Sequence, residues 1–253
     1  MKKILFFLAT VSLFVACSEN AITGRKQLAL FGEATLQQQA LTEYQSFLSQ
    51  NKVVNSSSNK DAEMVKRVGN RISKAITDYY TQKGLGSELN GYKWEFNLVD
   101  SKEVNAWCMP GGKVVVYTGL LGITQNEAAL AVVMGHEITH AVAHHGNERM
   151  SQGALAQGLE IVGNIATANN PKYNDLFNNI FAPTAQIAVL LPNSRNQEYE
   201  ADHLGLNFAA MAGYNPNEAV AFWQRMAAAS NGQKPPEFLS THPADENRIA
   251  RLQ

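Results

Sequence analysis

The sequence lacks an excess of charge of either sign. Its 21 Lys and Arg residues nearly balance 22 Asp and Glu residues, which leaves a formal net charge of -1. No broad basic field is present to attract nucleic acid, so a nucleic-acid partner is not expected. Internal repeats are also absent, and the chain of 253 residues is long enough for one sizeable domain.

Long apolar runs are missing except at the N-terminus. Lys2 and Lys3 precede an apolar run from Ile4 to Ala16, which is too short to span a bilayer as a stable anchor. The run ends in Leu-Phe-Val-Ala-Cys, a pattern that resembles the bacterial lipobox. We therefore expect a signal peptide over residues 1–16 and lipidation of Cys17, which would hold the protein on a membrane. Ordinary cleavage after Ala16, or an uncleaved anchor, is the alternative.

Cysteine is scarce, because only Cys17 and Cys108 occur. With Cys17 lipidated, Cys108 has no partner, so an exported chain cannot carry an internal structural disulfide. We expect Cys108 to be a small buried hydrophobic residue; a thiolate that binds and masks a metal is the less favoured alternative. Ser18, where some lipoproteins have aspartate, favours the outer membrane by resemblance to proteobacterial sorting rules.

Hydrophobic periodicity predicts helices, then the strands of a small sheet, then further helices along the sequence. The alternating segment Tyr92–Val99 and the valine-rich segment Lys113–Tyr117 are predicted strands, and Pro183–Ser194 is a predicted loop or lid. The order predicts an α+β fold, with residues 17–32 as a tether and 33–253 as one domain. The predicted helices are Glu33–Gln50, Asp61–Tyr80, Asn126–Gly146, Ser151–Ala168, Tyr173–Phe181, Arg195–Met211, Pro216–Ala229 and a short last one from Thr241 to about Leu252.

The pentapeptide His136-Glu137-Ile138-Thr139-His140 lies inside a predicted helix. At ~3.6 residues per turn, His136 and His140 lie on one helix face, about 6 Å apart along the axis. Two imidazoles in this arrangement can bind one zinc ion, and Glu137 can reach a water at the metal. Such a short motif also arises by chance, so it needs support elsewhere in the chain.

A second acidic motif supplies that support. A catalytic zinc ion usually has three protein ligands and an open fourth position. Glu198 and Asp202 are four residues apart on one face of a predicted helix, so one can bind the metal while the other accepts a hydrogen bond from a ligand histidine. Glu200 points about 160° away from Asp202 and is the weaker candidate.

Together these motifs resemble the H-E-x-x-H, E-x-x-x-D zinc endopeptidases that include the bacterial heat-shock protease HtpX and the CaaX prenyl endopeptidases. The resemblance is closer to their single-domain periplasmic lipoprotein branch. It implies a mainly helical gluzincin-type domain, one zinc ion bound by His136, His140 and Glu198, a catalytic Glu137 and a supporting Asp202. The similar stretches are Asn20–Leu28, Val104–Gly112, Tyr117–Leu121, Asn126–His140, Ser194–Asp202, Thr241–Pro243 and Arg248–Ile249.

Further candidates concern the substrate. The strand containing Val114, Val115 and Val116 is predicted to lie beside the motif helix and to bind an extended peptide along an unpaired edge. Asn105 and Ala106 precede this strand and are predicted to line the same cleft.

Two basic residues are candidates for a role close to the metal. His242, in Thr-His-Pro, could stabilise the oxyanion of the reaction intermediate, could occupy the fourth zinc position and keep the enzyme latent, or could simply pack at a helix start. Arg195 could stabilise the oxyanion or pair with a carboxylate. We expect His144, His145 and His203 to lie outside the site.

The leading hypothesis is a zinc endopeptidase on the periplasmic face of a bacterial membrane, with polypeptide substrates among misfolded or misassembled envelope proteins. The substrate class comes from the resemblance alone. The alternative is a non-catalytic assembly factor or chaperone that retains the zinc, although a pure binder has no need of Glu137. An unrelated lipoprotein with a chance motif is rejected, because the second motif would also have to be chance. The oligomeric state is left open.

Overall fold

The computed structural model describes residues 17–167, 182–229, 238, 239 and 242. The chain divides into two compact units. The smaller contains the described residues up to 33 and those of 144–197; the larger contains 34–143 and the described residues from 198 onward. The elements are β1 (Cys17–Glu19), β2 (Lys26–Leu28), α1 (Glu33–Gln50), α2 (Lys60–Gln82), a 3-10 turn (Gly86–Leu89), β3 (Glu95–Val99), β4 (Ala106–Met109), β5 (Lys113–Tyr117), α3 (Thr118–Thr124), α4 (Glu127–Val142), α5 (His145–Thr167), α6 (Ala182–Met211) and α7 (Glu218–Ala229).

These elements confirm the predicted α+β class. Helix α1 has the predicted bounds, and α2 and α7 lie close to theirs. None of the described helices is both long and apolar enough to cross a membrane. The predicted helices at Tyr173–Phe181 and from Thr241 onward lie outside the described residues, apart from His242.

Two predicted segments are wrong, and two elements begin at other residues than predicted, α5 at His145 instead of Ser151 and β3 at Glu95 instead of Tyr92. The motif helix α4 ends at Val142, because His144 has a φ of 57° and this left-handed conformation interrupts the helix before α5 begins. The predicted loop or lid at Pro183–Ser194 is instead part of α6, which is helical from Ala182 onward. A proline is tolerated in the first turn of a helix, where its missing N–H has no intrahelical acceptor.

The larger unit contains a three-stranded sheet in the order β3-β5-β4. Strand β5 pairs with β3 in parallel and with β4 antiparallel, so it occupies the centre. The prediction that β5 has an unpaired edge is therefore wrong. The side chains of Val114, Val115 and Val116 are also fully buried, which excludes them as peptide-binding residues. Strand β4 was not predicted, and it is the strand that packs against α4.

Helix α4 is enclosed by the rest of the larger unit. Every side chain from Ala129 to Val142 is buried, and α2, β4 and α7 contact it. Asn126 begins the helix, because its Oδ1 accepts a hydrogen bond from the Ala129 N–H at 2.8 Å. An uninterrupted buried surface of this kind places His136 and His140 deep in the unit, where their polar atoms need partners.

Two glycines set the approach of α4 to α6. A Cβ atom added to Gly135 would lie 2.6 Å from the Gly205 carbonyl oxygen, and one added to Gly205 would lie 2.7 Å from the His136 amide nitrogen. Only glycine fits at either position, because the neighbouring atoms are backbone and cannot rotate away. The crossing is immediately beside His136 and thereby brings the acidic motif of α6 up to the histidines of α4.

We predict that Gly205→Ala weakens both the fold and the metal site. The added methyl group overpacks a backbone contact, which costs about 1–3 kcal/mol of the free energy of unfolding. It also moves Glu198 and Asp202 away from His136. Urea unfolding and zinc content would be measured on the purified protein.

The matched control is Gly122→Ala. No heavy atom lies within 4 Å of a Cβ added at Gly122, and alanine is the better helix former. Equal stability and equal zinc content in the two variants would contradict the proposed role of the helix crossing.

Candidate metal centre

Four buried side chains place one donor atom each in a single cluster. They are His136, His140, Glu198 and His242, and their donor atoms all lie within 4.8 Å of one another. Helix α4 supplies the first two from one face, and α6 supplies the carboxylate. His242 is held by its backbone N–H, which donates to the Phe238 carbonyl at 2.9 Å.

The spacing of the donors suits a tetrahedral zinc ion. The Nε2 atom of His136 lies 3.1 Å from Nε2 of His140 and 3.3 Å from Oε2 of Glu198, and Nε2 of His140 lies 3.4 Å from Oε1 of Glu198. Ligand atoms at ~2.0–2.1 Å from a tetrahedral zinc lie about 3.3–3.4 Å from one another. Imidazole nitrogen and carboxylate oxygen are also ligand types that zinc accepts, so the residues present fit this metal.

Asp202 orients the first histidine. Its Oδ1 lies 3.0 Å from Nδ1 of His136, and both side chains are buried. A carboxylate only accepts hydrogen bonds, so Nδ1 of His136 carries the proton and Nε2 presents its lone pair to the cluster. The structure thus brings Asp202 to the position that its spacing from Glu198 predicts.

The charge state of Glu198 is set by competing effects. Burial by itself raises the pKa of this carboxyl group, but the close contacts with the imidazoles of His136, His242 and His140 lower it further than burial raises it. The pKa therefore lies well below its usual value, and Glu198 is an anion at neutral pH. If Glu198 and three neutral imidazoles bind a zinc dication, the net charge of the site is one positive charge. Burying one charge costs less free energy than burying two.

His242 approaches three functional residues at once. Its Nδ1 lies 3.2 Å from Nε2 of His136 and 3.0 Å from Oε2 of Glu198, while its Nε2 lies 3.4 Å from Oε1 of Glu137. This position gives no support to the alternative in which His242 simply packs at a helix start. The side chain lies in the cluster itself.

Cys108 is close to the site without belonging to the cluster. It is not among the metal-binding groups formed by the described residues. Desolvation, together with the negative charge of Glu137, raises the pKa of the Cys108 thiol well above its usual value. A protonated thiol is a poor zinc ligand, so the geometry gives no support to Cys108 as a masking ligand.

The other candidate residues lie outside the cluster. Glu200 is half-buried on α6, and Arg195 is exposed on the turn before Glu198. His203 is exposed beside Asn207, and His144 pairs with Glu33 at 3.1 Å. The role suggested for Arg195 remains a prediction.

The residues before β4 differ in exposure. Ala106 is buried, whereas Asn105 is half-buried and its side-chain oxygen accepts a hydrogen bond from the Ala106 N–H at 2.9 Å. Of this pair, only Asn105 has a side chain that an incoming peptide could reach.

Comparison with known proteins agrees with this chemistry. The model of the family described as peptidase family M48 matches residues 60–253. The chain is 32% identical over 256 residues to the mitochondrial metalloendopeptidase OMA1 of Bos taurus, covering 97% of this chain and 47% of that protein. It is 35% identical over 166 residues to the mitochondrial metalloendopeptidase OMA1 of Arabidopsis thaliana, covering 66% of this chain and 32% of that protein.

A bacterial protein is also similar. The beta-barrel assembly-enhancing protease of Escherichia coli is 30% identical over 185 residues, which cover 69% of this chain and 38% of that protein. The chain thus spans between about a third and about a half of the length of these three relatives.

We predict that Glu198→Ala removes most of the bound zinc, because it deletes the one anionic donor of the cluster. Zinc per chain, measured by mass spectrometry of the metal after dialysis, should fall well below one. The matched control is Glu200→Ala, two residues away on the same helix, which should retain about one zinc per chain. The reverse pattern would show that the wrong glutamate has been assigned.

Proposed function

Because the chain belongs to peptidase family M48, we propose that it is a zinc-dependent endopeptidase of the bacterial cell envelope that cleaves misfolded or misassembled envelope proteins. One observation carries the enzymatic part. The buried cluster of His136, His140 and Glu198 lies directly beside Glu137 on α4, and Glu137 is itself buried. A carboxylate kept beside a metal site in a water-poor interior is suited to proton transfer.

In this proposal Glu137 is the general base and then the general acid. The chemistry that zinc supplies in such a site is polarisation of the scissile carbonyl and acidification of a water molecule. Glu137 accepts a proton from the attacking water while the water oxygen bonds to the carbonyl carbon of the substrate. The same carboxyl group then passes the proton to the amide nitrogen as the carbon–nitrogen bond breaks. No residue of the chain becomes acylated.

The peptide substrate is proposed to bind along β4. Among the described strands only β5 pairs with β4, so none of the described strands lies along its second edge. The Tyr117 N–H donates to the Asn105 carbonyl, and hydrogen-bonding positions alternate along an antiparallel pair. The backbone groups of Ala106 and Cys108 therefore point away from β5. The Ala106 N–H is bonded to the Asn105 side chain, so the Ala106 carbonyl and the backbone groups of Cys108 are the ones with which an extended peptide would pair. Strand β4 also packs against the helix that carries Glu137.

His242 is proposed to hold the site latent. A catalytic zinc site keeps one coordination position for water, whereas a site with four protein ligands is closed. His242 supplies a fourth donor and also contacts Glu137, so in this conformation it competes with both water and substrate. The proposed active state has His242 withdrawn from the cluster.

The cellular setting rests on the N-terminal sequence. The similar proteins include mitochondrial and bacterial ones, so the choice of compartment comes from the signal-like residues 1–16 and the lipobox-like end at Cys17. The name of the E. coli relative, a beta-barrel assembly-enhancing protease, supports envelope proteins as substrates. We place the chain in the lipoprotein branch related to HtpX and the CaaX endopeptidases, on the outer membrane. A zinc-containing assembly factor without catalysis is the alternative, and Glu137 argues against it.

We predict that Glu137→Gln abolishes cleavage while zinc remains bound. Glutamine preserves the shape of the side chain but cannot accept the proton, and loss of a general base lowers kcat by about 100- to 10,000-fold. Casein cleavage by the purified protein, with and without a chelator, measures the effect. Cleavage by the variant at the wild-type rate would disprove the mechanism, and a chelator-sensitive wild type with an inactive variant would exclude the assembly-factor alternative.

We predict that His242→Ala raises the rate of casein cleavage by roughly threefold or more, because the fraction of open sites no longer limits the rate. Three ligands remain, so zinc should stay near one per chain. His203→Ala, which changes an exposed histidine on α6, is the matched control and should leave the rate unchanged. A lower rate in His242→Ala would instead indicate that His242 stabilises the reaction intermediate.

A further inference from the structure

We propose that the C-terminal half of α5 lies on the surface of a lipid bilayer. The inference rests on the proposed lipid anchor at Cys17 and adds a second membrane contact within the folded protein. It concerns the smaller unit alone, which contains β1, β2, α5 and the first part of α6.

Exposed apolar side chains are concentrated in this unit. Nine large apolar side chains are exposed among the described residues, and seven of them belong to the smaller unit. The four on the second half of α5 are 60% to 71% exposed, more than any of the others. They are Leu159, Ile161, Val162 and Ile165. A cluster of this kind on a protein surface is expected to have an apolar partner.

The four residues share one face of the helix. With ~100° per residue, they fall within an arc of about 160°. Glu160 is the only charged residue between Ser151 and Thr167, and it points away from the centre of that arc by about 180°. The helix is therefore amphipathic in its second half, with an uncharged apolar face and its single charge on the opposite side.

The contacts of the smaller unit place this face close to the proposed anchor. Cys17 pairs with Leu28 across the β1–β2 ladder, and the Leu30 N–H donates to the Ser151 hydroxyl on α5 at 2.8 Å. Arg25 adds two hydrogen bonds of 2.6 Å to the carboxylate of Glu148 near the start of the same helix. The residue that would carry the acyl chains is thus tied to α5 by short, partly buried contacts.

The distance along this route is small. Leu159 is eight residues beyond Ser151, which is about 12 Å of helix. Together with the strand pair and the two residues from Leu28 to Leu30, the path from Cys17 to the apolar face is no more than roughly 30 Å. Acyl chains on Cys17 would therefore hold the bilayer surface within reach of α5.

These features favour a lipid surface over other occupants. The helix is not long and apolar enough to cross a membrane, so its apolar face would lie in the interfacial layer, where such helices bury one side by ~5–10 Å. The face carries no charge for pairing with a protein partner. The lipid anchor supplies strong binding, and the contribution of α5 is to fix the orientation of the unit on the membrane.

The test uses Val162→Trp in the full-length lipidated protein. The protein is reconstituted into vesicles of phosphatidylethanolamine and phosphatidylglycerol, with and without bromine atoms on the acyl chains, which quench nearby tryptophan. The fluorescence of the three native tryptophans is subtracted by means of the wild-type protein. Met211→Trp is the matched control, because Met211 is also exposed on a helix but belongs to the larger unit. Ile165→Trp repeats the measurement in case Val162→Trp folds poorly.

We expect brominated lipid to quench a tryptophan at position 162 at least roughly twofold more than one at position 211, as for a helix face buried in the interfacial layer. If the protein sediments with the vesicles but positions 162 and 165 are not quenched, α5 does not contact lipid, while the anchor stands. If these positions resist both brominated lipid and acrylamide in water, another protein surface covers α5 and the inference is wrong. If the wild type does not sediment with vesicles, the anchor fails and this inference fails with it.

Discussion

The site depends on how closely two helix backbones approach each other. Gly135 and Gly205 remove the side chains that would otherwise separate α4 from α6, and the contact they permit lies next to His136. A carboxylate side chain is short, so Glu198 and Asp202 can reach His136 only if the helices nearly touch. The residues of the cluster are the ones that can bind a metal, and the two glycines allow α4 and α6 to approach closely enough to bring these residues together.

Because the cluster is buried, each of its polar groups needs a partner within the protein or a bound metal ion. All six functional side chains are buried, and polar groups withdrawn from water need partners; they are His136, Glu137, His140, Glu198, Asp202 and His242. A dication satisfies three imidazole nitrogens and a carboxylate at once, and Asp202 fixes the orientation of the first ring. The same requirement explains why His242 fits so readily: a fourth nitrogen completes the shell, and releasing it would expose a coordination position to water. In the proposed latent state His242 would occupy the fourth coordination position, and in the proposed active state water would occupy the same position.

Much of this site could be predicted from the sequence, because helix periodicity relates residues four apart without knowledge of the fold. That rule places His136 on the same helix face as His140, and Glu198 on the same face as Asp202. In the structure the two faces meet, because Glu198 lies in the cluster with both histidines and Asp202 contacts His136. Relations between elements could not be obtained in this way. The short strand β4 has no alternation long enough to detect, so the prediction that β5 is an edge strand is wrong. Histidine is enriched among residues with a positive φ, but residue type alone does not show that His144 adopts this conformation while His145 does not. Gly135 and Gly205 each look like ordinary helix glycines until the two helices are seen to cross.

The coordination shell of the bound metal tests the central claim most directly. X-ray absorption at the zinc edge of the purified protein should show one zinc ion with nitrogen and oxygen ligands at ~2.0–2.1 Å, with the scattering pattern of imidazole rings. A sulfur ligand at ~2.3 Å would instead identify Cys108 as a ligand, and a shell of oxygen atoms without imidazole would exclude the histidine cluster. The oxygen-only shell would contradict the assignment of His136, His140 and Glu198 as the residues that hold the metal, and the sulfur ligand would contradict the assignment of His242 as the fourth donor.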